Sequence, residues 1–281
     1  MIKKGLNFHQ SFKPEHNLLC SLFQSLTECS GKTAQEISKL TGIPTGESSG
    51  KVVPTICYLE YMGLITEHIK NREFVLDYTN LGKNVLSEDP GFMEELTLLL
   101  LHCMLVRKNN GAELWSYIIC NLMPKYHGHI SKVNFDKELE LNFGKSVSLA
   151  PFNGTYTGLL SNIRALDVTN DGYHLQTQTI NLDYIYLYGF ILYVYWSDWL
   201  DGLTDEEKVK KKSSSIEITS VQLEEIGFRY PFGWTEQEEY QVLELLQDKG
   251  IISLNRQMVP FTIRKIKIED EILSMLYSEL C

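Results

Sequence analysis

The chain has 281 residues, of which 43% are hydrophobic and 22% are charged, and its formal net charge is −10. This composition is that of a folded globular protein and excludes an intrinsically disordered chain. The acidic balance argues against an avid, general DNA binder, because a basic surface supplies most of the affinity for phosphates. Residues 1–72 nevertheless have a net charge of +2 and the remainder −12. A nucleic-acid contact is therefore expected, if anywhere, in the first quarter.

The first quarter predicts a winged helix-turn-helix domain over residues 1–78. Apolar residues recur at helical spacing in residues 15–28, which predicts a first helix. Thr33, with a glutamate three residues later, predicts the capped start of a second helix. Ser48 or Ser49 would cap a third helix, and a β-hairpin follows it. Helices followed by a hairpin are typical of a winged helix.

The sequence after residue 78 predicts further helices and two more segments in which a helix is followed by a β-hairpin. Residues 79–144 predict a helical core. Segments 145–203 and 216–281 each run from a helix into a hairpin, and the first of them also holds an aromatic helix over 182–200. The lysine-rich stretch 204–215 is predicted to be a polar, flexible linker. The expected fold class is mainly α with short antiparallel β-hairpins, as several winged-helix-like units around a helical core.

Localisation signals and cysteine usage point to the cytoplasm. The six cysteines form no C-x-x-C pair and have mostly apolar neighbours, which favours a reducing compartment over a disulfide framework. The apolar runs 96–106 and 184–196 are shorter than the roughly 20 residues needed to span a bilayer. The N-terminus has no apolar signal-peptide core. We expect a cytoplasmic protein with no membrane partner.

No motif in the sequence predicts catalysis. His127 and His129 are the most metal-like feature, but no third or fourth ligand lies near them, so a surface loop is favoured. His102 and Cys103 are neighbours on a helix and point in different directions, which favours packing over a nucleophile and base. Glycine-rich phosphate-binding loops are absent. We expect no metal, no cofactor and no enzymatic activity.

Any DNA contact is predicted to come from the third helix and the hairpin of the first domain. Phosphate contacts would position the domain, and helix side chains would read bases. The candidate residues in and before the helix are Ser48, Ser49, Lys51, Thr55 and Tyr58, and those on the hairpin are Lys70 and Arg72. In the alternative interpretation, this helix is an interface for a partner protein. The mildly positive local charge gives the two interpretations about equal weight.

Several segments also resemble a known family, the bacterial domain of unknown function numbered 4007. They are "HQSF" (9–12), "GKVVPTICYLEYMGLI" (50–65), "YTNLGKNVLSEDPGFMEELTLLLLHCML" (78–105) and "AELWSYIICNL" (112–122). The resemblance covers roughly residues 8–125. It departs from the family's pattern at "KPEHNLL" (13–19), where an arginine and a tryptophan are usual, and at Tyr58 or a neighbouring residue, where a tryptophan is expected.

Members of this family are found beside Dnd-type DNA phosphorothioate-modification genes and phage-defence genes. The resemblance implies a nucleoid-associated or defence-complex protein with winged helices, and it carries over no catalytic residue. We therefore expect a non-enzymatic DNA-binding or DNA-targeting subunit of a bacterial phage-defence, DNA-modification or mobile-element system. Its expected partners are double-stranded DNA and other proteins of the complex. The main alternative is a protein adaptor that uses its acidic surface, and an enzyme with dispersed catalytic residues is the least favoured.

Overall fold

The computed structural model describes residues 5–46, 50–144, 147–210, 212–257 and 259–280. About 53% of the chain is helical and 14% is strand, in small antiparallel sheets. The predicted fold class, mainly α with short hairpins, is confirmed at this level. The chain divides into two compact units. Unit 1 comprises residues 1–106 and 111–176, and unit 2 comprises residues 107–110 and 177–281.

Unit 1 opens with helices and a hairpin: α1 (His16–Gln24), α2 (Leu26–Cys29), α3 (Ala34–Thr41), α4 (Val52–Tyr61), β1 (Ile65–Lys70) and β2 (Glu73–Tyr78). It continues with α5 (Asn80–Glu88), α6 (Glu95–Leu105), α7 (Glu113–Tyr117), a π-helical turn (Ile118–Leu122) and α8 (Met123–Lys125). It ends with β3 (His129–Ser131), α9 (Lys132–Phe143), α10 (Ala150–Gly154), a second π-helical turn (Thr155–Leu159), β4 (Leu166–Val168) and β5 (Gly172–Leu175). Helix α6, the leucine-rich run, is buried from Leu96 to Leu105 and forms the centre of this unit.

Unit 2 is built around one long aromatic helix. It contains α11 (Ile185–Asp201), α12 (Asp205–Lys210), β6 (Glu217–Thr219), α13 (Ser220–Ile226), α14 (Glu236–Asp248), β7 (Ile252–Asn255), β8 (Thr262–Lys265) and α15 (Glu269–Ser274). Helix α11 is buried from Ile185 to Trp196, and two of its ring groups donate to backbone carbonyls: Tyr193 to Ile251 at 2.7 Å and Trp196 to Ser214 at 2.6 Å. In the described part of the chain, no helix has the length and apolar character required to cross a membrane.

Residues 204–215, predicted as a flexible linker, contain regular structure. Thr204 and Glu207 form reciprocal hydrogen bonds, in which the Glu207 carboxylate accepts from the Thr204 backbone at 2.9 Å. This capping pair starts α12. Ser214, near the end of the segment, is buried. The polar composition of the stretch predicted a linker, although a threonine and a glutamate in it have the three-residue spacing of a capping box.

One connectivity recurs three times along the chain: a short strand, two helices and a hairpin whose last strand pairs with the first. It gives the sheet orders β3–β5–β4 and β6–β8–β7. In the first copy, a single bridge between Lys32 and Phe74 of β2 takes the place of the first strand. We name these copies repeat 1 (residues 32–78), repeat 2 (residues 129–175) and repeat 3 (residues 217–265). Repeats 1 and 2 lie in unit 1, and repeat 3 lies in unit 2.

Local sequence fixes the first helix of each repeat at both ends. In each copy the N-cap residue, which is Thr33, Ser131 or Thr219, accepts a hydrogen bond with its side-chain oxygen from the backbone N–H three residues later. Satisfying these otherwise unpaired backbone groups stabilises a helix start by about 1 kcal/mol. Each first helix also ends at a glycine in the left-handed conformation, at Gly42, Gly144 and Gly227, with φ of 73°, 66° and 77°. Glycine suits this position because it has no Cβ to clash.

Repeat 2 begins earlier than the second winged-helix-like unit that the sequence predicts from residue 145. Its first strand is β3, and its first helix is α9, which falls in the segment predicted as helical core. Helix α9 leaves Val133 and Leu141 exposed while burying Phe135 and Leu139. Its apolar residues therefore do not form one stripe, and its place in a repeat was not visible from periodicity.

Candidate functional site

The structure buries two of the side chains predicted to read DNA. Thr55 is 5% exposed and donates its hydroxyl to the Lys51 carbonyl at 2.7 Å. Tyr58 is 1% exposed and donates to the Phe12 carbonyl at 2.9 Å, and burial raises its pKa well above the usual value. The expectation that both face solvent is wrong. Ser48 and Ser49 lie outside the described residues.

Helix α4 is covered by residues that are distant in sequence. The Phe8 ring lies 5.0 Å from the Tyr58 ring and 4.6 Å from the Tyr61 ring, measured between centroids. Trp115 packs edge-on against Tyr58 at 6.0 Å. The face of α4 that carries Tyr58, which was predicted to contact DNA, is therefore part of the core of unit 1.

Lys51 remains partly exposed, but its charge is compensated. Its ammonium lies 2.7 Å from a carboxylate oxygen of Glu15 and 5.8 Å from the centre of the Phe12 ring. An exposed ion pair of this kind contributes little to stability, about 0 to 1 kcal/mol. It nevertheless occupies the lysine, so a phosphate would have to compete with Glu15 for it.

The hairpin tip of repeat 1 is where predicted phosphate contacts remain available. Lys70 ends β1 opposite Glu73, and Asn71 and Arg72 form the turn with φ of 52° and 70°. Positive φ at both turn residues is characteristic of the tight hairpin turn that matches strand twist. Lys70 and Arg72 are exposed, and neither has an ion-pair partner among the described residues. The tip therefore presents two uncompensated cations to solvent.

The second helix of repeat 2 is buried against the same tryptophan. Phe152 in α10 is fully buried, with its ring centroid 5.8 Å from that of Trp115. Thr155, at the start of the following π-helical turn, accepts a hydrogen bond from Trp115 Nε1 at 3.2 Å. Trp115 therefore contacts the second helices of both repeats in unit 1, through Tyr58 on one side and Phe152 on the other.

The second helix of repeat 3 has an open but acidic face. Helix α14 starts at a capping box between Thr235 and Glu238. Its sequence EQEEYQVLELLQD has no lysine or arginine, and its acidic residues are Glu236, Glu238, Glu239, Glu244 and Asp248. The outer face exposes Glu236, Gln237, Gln241 and Asp248. This face would repel the phosphates of a nucleic acid.

A carboxylate cluster lies at the start of α14. The Arg229 guanidinium donates to Glu224 and lies 3.4 Å from Glu239 and 3.8 Å from Glu236. Tyr230 also donates its hydroxyl to Glu224. Glu239 is buried, and its Oε1 has no hydrogen-bond partner among the described residues. Burial raises the pKa of Glu239 to about 7, against the opposing pull of Arg229.

The histidines and the cysteine singled out in the sequence lie in two different environments, one exposed and one buried. His127 is exposed, and His129 in β3 stacks on its cross-strand neighbour His174 with ring centroids 3.9 Å apart. His102 is buried with Nδ1 3.3 Å from the Tyr156 hydroxyl, and burial raises the pKa of Cys103 well above its usual value. Among the described residues, no three His, Cys, Asp or Glu side chains come together as metal ligands would.

Comparison with known proteins shows the fold of the chain. No family model matches it, and no curated protein matches it. A solved structure titled "SspB crystal structure" is similar with a TM-score of 0.69 at 13% sequence identity, covering 98% of this chain and 87% of that one. A second, "Magnesium ion-bound SspB crystal structure", has a TM-score of 0.68 at 12% identity with the same coverage. Likeness at such low identity concerns the fold alone.

Proposed function

We propose that this chain is a non-enzymatic adaptor subunit of a bacterial defence or DNA-modification complex, in which three winged-helix units act as scaffolding and as protein-binding surfaces. One observation carries the proposal. The second helix of a repeat corresponds to the helix that winged-helix proteins insert into the major groove. In repeats 1 and 2 this helix is buried against Trp115, and in repeat 3 its exposed face is acidic.

The winged-helix assignment rests on connectivity. Each repeat has a first strand or bridge, two helices and a hairpin, and the strand order is the same in all three. The place in a defence or modification complex is supported by the SspB-like fold and by the resemblance of residues 8–125 to the family numbered 4007. The likeness in fold and the family resemblance both favour a place in such a complex, but neither assigns a role to an individual surface.

The non-enzymatic assignment is also part of the proposal. The magnesium ion named for one structural neighbour is not transferred to this chain, because the described residues offer no group of three acidic, histidine or cysteine ligands. The His102 and Cys103 side chains are enclosed in the core of unit 1.

The acidic face of α14 is the proposed contact for a basic partner protein. Changing Glu236 and Asp248 to lysine should raise the dissociation constant of the complex with a co-expressed product of an adjacent gene. The expected loss is about tenfold or more, because reversing charges at an interface replaces attraction with repulsion. Isothermal titration calorimetry of the purified partners measures it.

Asp201 and Glu206 provide the matched control, since both are exposed carboxylates of unit 2 that lie outside α14. The same change in net charge there should leave the affinity within about twofold. Equal weakening by both pairs would point to a general charge effect, and unchanged affinity in the α14 pair would refute the α14 contact.

A weak, sequence-independent DNA contact by the hairpin tip of repeat 1 is the second candidate function. The two uncompensated cations, Lys70 and Arg72, favour it. If both bind phosphate, changing them to glutamate should weaken binding of a 20-base-pair duplex at 25 mM salt by about tenfold or more. It should also lower the slope of log affinity against log salt by roughly two, since each phosphate contact contributes about 0.9.

Fluorescence anisotropy between 25 and 200 mM salt measures both effects. Lys132 and Lys137, exposed on α9, provide the matched charge-reversal control. A parent protein that fails to bind duplex at 25 mM salt removes this candidate, as does a hairpin variant that binds like the parent. Neither result bears on the protein contact of α14.

A further inference from the structure

Unit 1 contains a cavity of about 250 Å³ that none of the proposed contacts uses. It is lined by His16, Phe92, Met93, Leu98, Gly158, Leu159, Ser161 and Asn162. One wall is the loop between α5 and α6, and the other is the π-helical turn with the residues that follow it. These two walls are far apart in sequence, so the cavity is a product of the tertiary fold.

The loop wall is held in place by one face of α1. His16 Nε2 lies 2.8 Å from the Gly91 carbonyl oxygen, Cys20 Sγ donates to the same oxygen at 3.4 Å, and Gln24 Nε2 donates to the Pro90 carbonyl at 2.9 Å. These side chains are four residues apart and share a helix face. From within the loop, the Asp89 carboxylate accepts from the backbone of Met93 and Glu94, each at 2.9 Å. The loop is therefore fixed at several points.

The fixed loop carries backbone strain. Phe92 has a φ of 51°, in the left-handed region that a bulky aromatic residue rarely adopts, and its side chain is buried. Such a conformation persists only where the surroundings enforce it, and it concentrates at ligand-binding sites. The opposite wall includes the π-helical turn at Thr155–Leu159, a feature also frequent at functional sites. Two independent backbone irregularities thus border one cavity.

The lining defines the chemistry of a ligand. Phe92, Leu98 and Leu159 offer apolar surface, and Met93, which is 74% exposed, adds an adaptable thioether that favours contact with aromatic rings. No lysine, arginine, aspartate or glutamate lines the cavity. Apart from the imidazole of His16, a charged ligand group would therefore meet no ionisable side chain there. The ligand should be uncharged and largely apolar on its faces.

Polar groups at the cavity can recognise a ligand edge. His16 shares its Nε2 hydrogen with Gly91, because a carbonyl only accepts, and this leaves Nδ1 as an acceptor in the neutral ring. Ser161 and Asn162 have no side-chain hydrogen-bond partner among the described residues. An asparagine amide can both donate to and accept from the edge of a base. The volume lies below the range of about 300 to 1,000 Å³ for drug-sized ligands, which suits a single small ring system.

We propose that this cavity binds a nucleobase, held between apolar faces and recognised at its edge by Asn162 and Ser161. The base can belong to a free nucleoside or to an unpaired nucleotide in single-stranded DNA, since both present the same ring. The site is independent of the acidic face of α14 and of the hairpin tip of repeat 1.

Gly158 allows the cavity to be filled. A Cβ built on this residue meets no heavy atom within 4 Å, and its φ is not in the left-handed region. Gly158→Leu should therefore place its side chain in open space and weaken nucleobase binding about tenfold or more by occupying the site. Thr157→Leu is the matched control, because Thr157 is the preceding residue of the same π-helical turn, is exposed and does not line the cavity.

Asn162→Ala tests edge recognition and leaves the apolar lining residues Phe92, Leu98 and Leu159 unchanged. Removing its hydrogen bonds should weaken binding about threefold to tenfold. Adenosine, guanosine, cytidine and thymidine are titrated separately into the full-length protein, and so are 12-mers of dA and dT. Chemical-shift changes of the methionine methyl groups report occupancy at Met93. Thermal unfolding of each variant confirms that it is folded.

If a nucleoside binds to the parent and to Thr157→Leu but not to Gly158→Leu, the proposal is supported with a free nucleoside as the ligand. If only an oligonucleotide shows this pattern, the proposal is supported with single-stranded DNA as the source of the base. Absence of binding by every probe at 5 mM overturns it. Binding that is unaffected by both Gly158→Leu and Asn162→Ala also overturns it, because the ligand is then bound elsewhere.

Discussion

Replacing Trp115 with alanine is expected to destabilise unit 1 by about 3 to 5 kcal/mol, because truncating a buried tryptophan leaves a large cavity. Trp115 is fully buried and packs against Phe8, Tyr58 and Phe152. It also donates a hydrogen bond to Thr155. Its loss therefore removes the contact shared by the second helices of repeats 1 and 2.

Hydrogen exchange locates this effect. Amides of α4 and α10 should exchange about a hundredfold faster or more in the alanine variant, the factor that corresponds to about 3 kcal/mol. Trp115→Phe is the matched control, since it keeps an aromatic ring and loses the bond to Thr155, with an expected cost of about 1 to 2 kcal/mol. Unchanged exchange in both helices of the alanine variant would contradict the idea that the tryptophan buries them.

The second large effect is a pH dependence that arises from Glu239. Its pKa is about 7 in the folded protein against an ordinary value of 4.5, because burial penalises the carboxylate. The folded state thus binds this proton more tightly than the unfolded state. The contribution of Glu239 to stability is greatest below pH 4.5 and declines as pH rises from 4.5 through about 7, by roughly 3 kcal/mol.

Glu239→Gln should remove this decline, because glutamine mimics the neutral acid at every pH. The variant is expected to be more stable than the parent at pH 8 and about equal to it at pH 5. Urea unfolding at several pH values, followed by the fluorescence of Trp196, Trp199 and Trp234 in unit 2, measures the difference. The fluorescence of Trp115 is removed by using the Trp115→Phe background for both proteins.

Glu236→Gln is the control for this experiment. Glu236 is on the same helix and lies 3.8 Å from the same arginine, but its side chain is 86% exposed. Replacing Glu236 should leave the pH dependence of the free energy of unfolding the same as in the parent protein. If the Glu239 and Glu236 variants behave alike, the attraction of Arg229 offsets the burial of Glu239, and the carboxylate is ionised at neutral pH.

Burial of the second helices changes which of the sequence-based interpretations is favoured. DNA and protein contacts had similar weight when α4 was judged from its sequence. Thr55 and Tyr58 prove to be internal, and Lys51 is engaged with Glu15. The DNA hypothesis now depends on the two hairpin cations, Lys70 and Arg72, whereas the adaptor hypothesis gains the acidic face of α14.

The sequence by itself determined the hairpin of repeat 1, the long aromatic helix and the start of α3. Helix α4 begins at Val52 with Lys51 at its N-cap position, not with the predicted serine cap. The capping box predicted at Thr33 and the glutamate three residues later is present at the start of α3. The aromatic run predicted as a helix over residues 182–200 is α11. These features were predictable because caps, turns and apolar runs act over a few residues, within the reach of a local pattern.

Only the tertiary structure decided which surfaces are free. The predicted outward face of α4 is covered by Phe8 and Trp115, which lie about fifty residues to either side of Tyr58. Strand β3 is three residues long and exists because it pairs with β5, more than forty residues later. The cavity beside Phe92 likewise joins two distant segments. The exposure of a helix or strand face depends on contacts with remote parts of the chain. A local sequence pattern carries no information about which residues will cover that face.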